Sequence, residues 1–462
     1  MKRLLLLDVF AIFFCVTINA EVVDLKQLEG INIPLVQIET VNGEMPTYTE
    51  VMHPSNGMGA SITDATKVPA RMIISKGLGG DVMYDSGNYA KDESGITIKI
   101  RGNTSAQSVK KPYKIKLQYP ADLLCRGNDS IYKDKDWALI RDESLFNLFG
   151  FKINELIGMQ WTPAYEYVNL VINGEYKGLY LLVETVKRNK RCRLDVSKTG
   201  YVAEYDAYWW NEDVYVESPT LFDKNLMNYT FKYPDSDNIT RQSLDYFEEM
   251  IERVEYSLQD GTYEKYIDTK SLASWILAQD ILGNWDAGGS NYFFTKYDNT
   301  DESKIIMGCL WDFSSILYMK DDWSNQHFGW FYFEYLMEDV DFLRTYKARW
   351  YEISPYIFDD IITYLNSFVS SEMAVEMDKS LVLDGIRWEW ENDSIDKCVD
   401  RAVNWFITRK IWMESAIGDI DNIPIVIKKP STSDNLYYDL QGRKSNHPRK
   451  GVNIWKGRKY VW

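Results

Sequence analysis

The sequence predicts an α+β fold with a strand-rich N-terminal lobe, a mostly helical C-terminal lobe and a small β tail. Three observations predict it. Between about residues 70 and 205, short segments alternate or run apolar between turn residues, which is a strand signature. From about 211 to 418, apolar residues recur at helical spacing in long segments. After a linker at 419–435, the tail at 436–462 (LYYDLQGRKSNHPRKGVNIWKGRKYVW) is basic and broken into short β-like pieces.

Residues 1–20 (MKRLLLLDVFAIFFCVTINA) open with Lys2 and Arg3, continue as an apolar run and end at Ala20, the pattern of a secretory signal peptide. Phe13 and Phe14 before Cys15 lack the small residues a lipoprotein anchor prefers. No later stretch is long and apolar enough to span a membrane. The chain is therefore expected to be secreted, periplasmic or at the cell surface. IPLVQIET (33–40) reads as the first strand, followed by MIISKG, GITIKIRG, PYKIKLQY, AYEYVNLVING, EYKGLYLLVETV and GYVAEYDAY. Asn173-Gly174 predicts a tight hairpin turn, because both residues tolerate positive φ. One helix is expected within this half, over 144–158, and four amphipathic segments follow at 243–259, 271–285, 340–369 and 396–417.

The composition excludes several functions. The chain has 462 residues, 52 Lys plus Arg against 68 Asp plus Glu, and a net charge of −16. Such acidity argues against nucleic-acid binding, which needs a surplus of cations. His53, His327 and His447 lie far apart and show no metal-ligand or triad spacing. Cys125, Cys192, Cys309 and Cys398 contain no CxxC. An oxidising compartment permits pairing, so a Cys125–Cys192 disulfide and buried free thiols both remain open. Aromatic residues reach 15%, which fits either an aromatic-rich core or a platform for sugar or peptide.

Three segments carry residues suited to chemistry. In RGNTSAQSVKKPYKIKL (101–117), strand alternation puts Lys114 and Lys116 on one face and Tyr113, Ile115 and Leu117 on the other. Two lysines on one face suit phosphate oxygens, or are simply a solvated face. In GNWDAGGSNYFF (283–294), Asp286 and Asn291 share a loop: a carboxylate can take a hydroxyl proton and an amide oxygen can ligate a divalent ion. In IIMGCLWDFSSIL (305–317), a strand delivers Asp312 between Trp311 and Phe313, and a cation would offset the cost of burying that acid. A strand lysine, a loop Asp with Asn and a strand-end Asp are the parts of phosphoryl transfer. GxGxxGxV, HRD and DFG are absent.

RGNTS (101–105), KKPYKIKL (110–117), VNLVINGEYKGLYLLVETVK (168–187), GYVAEYDAY, GNWDAGGSNYFF and LWDFSS (310–315), in this order, resemble the CotH family of atypical secreted protein kinases over about residues 30–417. The resemblance implies a kinase-like two-lobe fold using ATP with Mg2+ or Mn2+ and phosphorylating Ser of secreted or surface proteins. It implies Asp286 as the catalytic residue, Asp312 and Asn291 as metal ligands, and Lys116 and Lys114 as phosphate contacts. Arg101 and Glu184 would line the nucleotide site, and Asp142 is a further candidate. Ser314 stands where the family commonly has a second Asp. The alternative is a catalytically weak kinase-like module acting in binding or structure at the cell surface. The tail resembles C-terminal β modules of secreted proteins, some of which serve sorting or surface attachment; a plain packing element is the other reading.

Overall fold

The computed structural model describes residues 23–52, 60–127, 130–218, 227–284, 287, 291–317 and 332–418, with four short strands between 437 and 461. The expected signal peptide, the three histidines, Asp286 and the linker lie outside the described residues. Two compact units are present, residues 1–414 and 415–462.

The first unit begins with a closed barrel. Its strands are β1 (Leu35–Thr40), β4 (Val68–Ser75), β6 (Ile96–Ile100), β7 (Tyr113–Ala121), β8 (Asp134–Ile140), β9 (Tyr165–Ile172) and β10 (Glu175–Glu184). They run in the order β1-β9-β10-β8-β7-β6-β4, and β4 pairs again with β1 to close the ring. β5 (Val82–Asp85) adds to β4, while β2 (Thr49–Met52) and β3 (Ala60–Thr63) form a separate hairpin. β1 is parallel to β9, and the other pairings of the ring are antiparallel. Alternate residues, including Ile38, Met72, Ile98, Ile115, Trp137, Leu170 and Leu182, fill the interior. Closure removes the unpaired edges an open sheet would expose. Asn173 (φ 50°) and Gly174 (φ 76°) make the expected turn between β9 and β10.

After helix α1 (Phe146–Leu156) and the barrel's last strands comes a second sheet, in the order β12-β13-β11-β14-β15. It comprises β11 (Tyr201–Asp206), β12 (Tyr215–Val216), β13 (Asn228–Tyr233), β14 (Tyr292–Lys296) and β15 (Ile305–Met307). It draws strands from both sides of residue 210, so the expected division there between a strand lobe and a helical lobe is corrected. The reason is non-local: β11 pairs with β13 and with β14, which α2 (Arg241–Asp260) and α3 (Thr269–Leu282) separate from it in sequence. Thr240 caps α2 by accepting the Ser243 N–H at 3.1 Å, and Asp268 caps α3 through the Ser271 N–H at 2.7 Å. Gly261 and Gly283 end these helices in the left-handed conformation.

The remaining helices are α4 (Phe333–Leu336), α5 (Val340–Ile353), α6 (Ile357–Val369), α7 (Glu372–Trp388) and α8 (Ile395–Gly418). The segment expected as one helix over 340–369 is broken before α6, where Pro355 cannot supply a helical N–H. Helix α7 packs on β10, where Lys110, wholly buried, bonds the Leu179 carbonyl at 2.7 Å and the Asp384 carboxylate at 2.5 Å.

One face of the second sheet accounts for much of the aromatic surplus. Tyr201, Phe231, Tyr229 and Phe294 pack around Phe247 of α2, and Tyr292 stacks on Trp275 of α3 at 4.6 Å. All four cysteines of the described residues are free thiols, so the Cys125–Cys192 pairing is not formed. No described helix is long and apolar enough to cross a membrane. The second unit holds β16 (Tyr437–Asp439), β17 (Lys444–Ser445), β18 (Val452–Trp455) and β19 (Arg458–Val461), paired antiparallel in the order β17-β16-β18-β19.

Candidate active site

The outer face of the barrel carries the lysines. On β6 and β7, Lys99 stands opposite Lys114 and Thr97 opposite Lys116, while Ile98 and Ile115 point into the core. Like charges directly opposite one another destabilise a sheet unless anions offset them. Asp136 on β8 does so only in part, lying 3.5 Å from the Lys114 ammonium and 2.5 Å from that of Lys187. Burial lowers the Lys114 pKa; Asp136 opposes this, and Lys99, Arg101 and Lys116 add to it. Burial works against the Asp136 carboxylate, yet Lys187 and Lys114 outweigh it and lower its pKa to about 2. Lys116 is exposed. The face therefore keeps a local excess of positive charge in an acidic protein.

Arg101, just past the end of β6, leads from this face to the acidic residues. Its guanidinium lies 5.7 Å from the Trp311 ring centroid. Burial lowers its pKa, and Asp312 and Glu204 oppose the shift as its charge partners. Asp312 is exposed, at φ 61°, and accepts the Ser314 N–H at 3.2 Å. Two contacts fix the loop that carries it. Asn284, immediately after α3 and its Gly283 cap, donates its side-chain amide to the Asp312 carbonyl at 3.1 Å, and Leu317 N–H reaches the Leu282 carbonyl at 2.8 Å. The next residue, Phe313, packs edge-on to Phe151 of α1 at 5.3 Å. A Cβ at Gly150 would meet the Phe313 ring at 2.2 Å, so this approach requires glycine.

Asn291 opens β14 at φ 69°, and its N–H bonds the Glu204 Oε1 at 3.1 Å. Glu204, 5% exposed on β11, also holds the Lys232 ammonium at 2.9 Å. Burial pushes the Glu204 carboxyl up to about 7; Lys232 opposes this and Asp206 adds to it. Lys232 also loses solvent, but Glu204, Asp206 and Glu212 together raise its pKa. Glu204 was not among the residues picked out from the sequence, although an acid inside the otherwise apolar run YVAEY is a signal that could have found it.

Arg101 thus lies against Trp311, the neighbour of Asp312, with Lys114 and Lys116 on β7 alongside β6, and Asn291 is bonded to Glu204. Glu184 and Asp142 are placed elsewhere. Glu184 is in register with Trp137, so it points to the inside of the barrel, where it accepts Arg126 at 2.9 Å and the Ala164 N–H at 3.1 Å. Asp142 is buried and fully engaged, accepting the Asn147 N–H at 2.9 Å, the Asn147 side-chain amide at 3.0 Å and the Tyr167 hydroxyl at 2.6 Å. It caps the entry to α1. Burial pushes it up to about 6 despite these bonds.

Oxygen donors dominate the site, and hard donors suit Mg2+ or Mn2+, of which Mg2+ commonly takes only one or two carboxylates besides phosphate and water. Among the described residues no three His, Cys, Asp or Glu cluster to hold a metal ion. Asp312 and Asn291 supply a carboxylate and an amide oxygen, donors of that hard class.

A cationic strand face meeting loop-borne oxygen donors is the layout of a kinase-like, phosphate-handling protein. The family model described as CotH kinase protein matches residues 98–413, more than half of the chain, and the chain belongs to that family. The match takes in the site residues and begins at β6, so β1 and β4 of the barrel lie before it. Among solved structures, the Helicobacter pylori proinflammatory kinase CtkA is similar at 12% identity, over 65% of this chain and 95% of that one, with a TM-score of 0.28. No curated protein matches the chain.

Proposed function

We propose that this protein is a secreted kinase that transfers the γ-phosphoryl group of ATP to serine hydroxyls of extracytoplasmic proteins. The observation that carries the proposal is Arg101, which follows the lysine-bearing strand β6 and sets its guanidinium 5.7 Å from the ring centroid of Trp311, the residue before Asp312. The serine oxygen would form a bond to the γ-phosphorus as its bond to the β–γ bridging oxygen breaks. ADP leaves, and the hydroxyl proton passes to a carboxylate. Asp286 is assigned that carboxylate on its place in the family motif. Lys114 and Lys116 would offset the phosphate charge, and Arg101 would orient the chain end of the nucleotide. Asp312 and Asn291 would hold the divalent ion, which supplies charge neutralisation between the phosphates. Localisation outside the cytoplasm rests on the signal-like residues 1–20, and surface attachment through the tail on its likeness to sorting modules.

A second reading is a kinase-like module with little turnover, acting in binding at the cell surface. Ser314 favours it, since it removes the second carboxylate of the family pattern. Incubating the purified chain with labelled ATP and Mn2+ or Mg2+ separates the two. Label incorporation into the chain or a partner, abolished by Asp286→Ala, supports the kinase. Metal-dependent nucleotide binding without transfer supports the module, and no metal-dependent nucleotide binding by calorimetry overturns the kinase.

A further inference from the structure

Glu204 occupies the face of the second sheet turned away from α2. Its neighbours on β11, Ala203 and Tyr205, stand opposite Phe294 and Tyr292 on the aromatic side. Side chains alternate along a strand, so Glu204 shares the other face with Val202 and Asp206. A carboxylate buried there costs free energy unless donors and cations surround it. Two groups do, each from a different element: the Asn291 N–H just before β14 (3.1 Å) and the Lys232 ammonium on β13 (2.9 Å). Asn291 needs such a partner, since its φ of 69° lies in the sparsely populated left-handed region.

We propose that Glu204 is a positioning residue, fixing the Asn291 backbone in the arrangement that receives a metal-bound nucleotide. The proposal rests on the kinase-like reading above. Glu204 itself touches neither nucleotide nor metal; it acts through Asn291. Partners standing behind metal ligands commonly change metal affinity by about 10–100-fold when removed.

The test compares ATP with Mn2+ and ATP with EDTA, by calorimetry on the purified full chain, for wild type, Glu204→Ala and Glu204→Gln. Glu204→Ala should weaken Mn-ATP binding by about tenfold or more and leave metal-free ATP binding within about twofold. Glu204→Gln keeps an acceptor for the Asn291 N–H but loses the charge facing Lys232, and should weaken Mn-ATP binding by about threefold. A merely structural role would not split the metal-dependent from the metal-free component. If wild type shows no metal-dependent nucleotide binding, the kinase-like reading fails and the proposal with it. If wild type binds and Glu204→Ala binds Mn-ATP equally well, the proposal alone is overturned. Should Glu204→Ala fail to fold, an unchanged Mn-ATP affinity in Glu204→Gln overturns it.

Discussion

Asn284 donates its side-chain amide to the main-chain carbonyl of Asp312 at 3.1 Å, joining two segments 28 residues apart. The same amide bonds the Gln279 Oε1 at 3.1 Å, while the buried Asn284 Oδ1 has no hydrogen-bond partner among the described residues. One side chain therefore sets the spacing between the loop of Asp312 and the segment that leads to Asp286. Asn284→Ala should cost about 1–3 kcal/mol in urea unfolding, the penalty for leaving the buried Gln279 side-chain oxygen unpaired. Asn284→Asp should cost more, because it places an oxygen against the Asp312 carbonyl. Unfolding midpoints matching wild type would show that this bond is not made in solution.

The paired lysines on β6 and β7 should matter for anion binding more than for folding. Lys116→Ala is expected to leave the unfolding midpoint nearly unchanged, since the side chain is exposed. The same variant should weaken ATP binding severalfold, and raising salt should shrink the difference. Equal ATP affinities at low salt would remove Lys116 from the site.

Trp137 lies wholly inside the barrel. Trp137→Ala is expected to destabilise the chain by about 3–5 kcal/mol, through lost burial and the cavity left behind. Chemical denaturation monitored by circular dichroism measures this, and a loss under about 1 kcal/mol would contradict the packed interior.

Asp142 gives a pH dependence whose sign can be stated. Its carboxyl is raised from 3.8 to about 6 in the folded chain, mainly by burial. Between those values the folded state binds more protons than the unfolded state, so this group's contribution to stability falls as pH rises through the window. Asp280, also buried and raised to about 7, acts in the same direction. Wild type should lose stability from pH 4 to 6 more steeply than Asp142→Asn. Parallel stability curves would show that Asp142 keeps its ordinary carboxyl range.

Ser314→Asp restores a carboxylate two residues beyond Asp312 and should tighten Mn2+-dependent ATP binding, because added anionic charge favours a divalent ion. Unchanged Mn2+ dependence would place residue 314 away from the ion.

Much of this protein is legible along the chain because the relevant forces are local. Alternation or apolar runs between turn residues located β6, β7, β9 and β10, the Asn173-Gly174 pair located the β9–β10 hairpin, and helical spacing located α1, α2, α3 and α8. The same alternation put Lys114 and Lys116 on one face. Pairing across long sequence separations left no comparable mark. Whether β4 would return to β1 and close a barrel, or β14 join β11 across two helices, depends on burial that only the assembled chain provides. That closure decided which side of β10 faces inward, and so took Glu184 away from the lysines. The sequence alone determined the residue types, their strand faces and the family they define. The tertiary structure decided which groups meet, bringing Glu204 to Lys232 and the Asn291 N–H, because a buried charge is stable only where the fold supplies its partner.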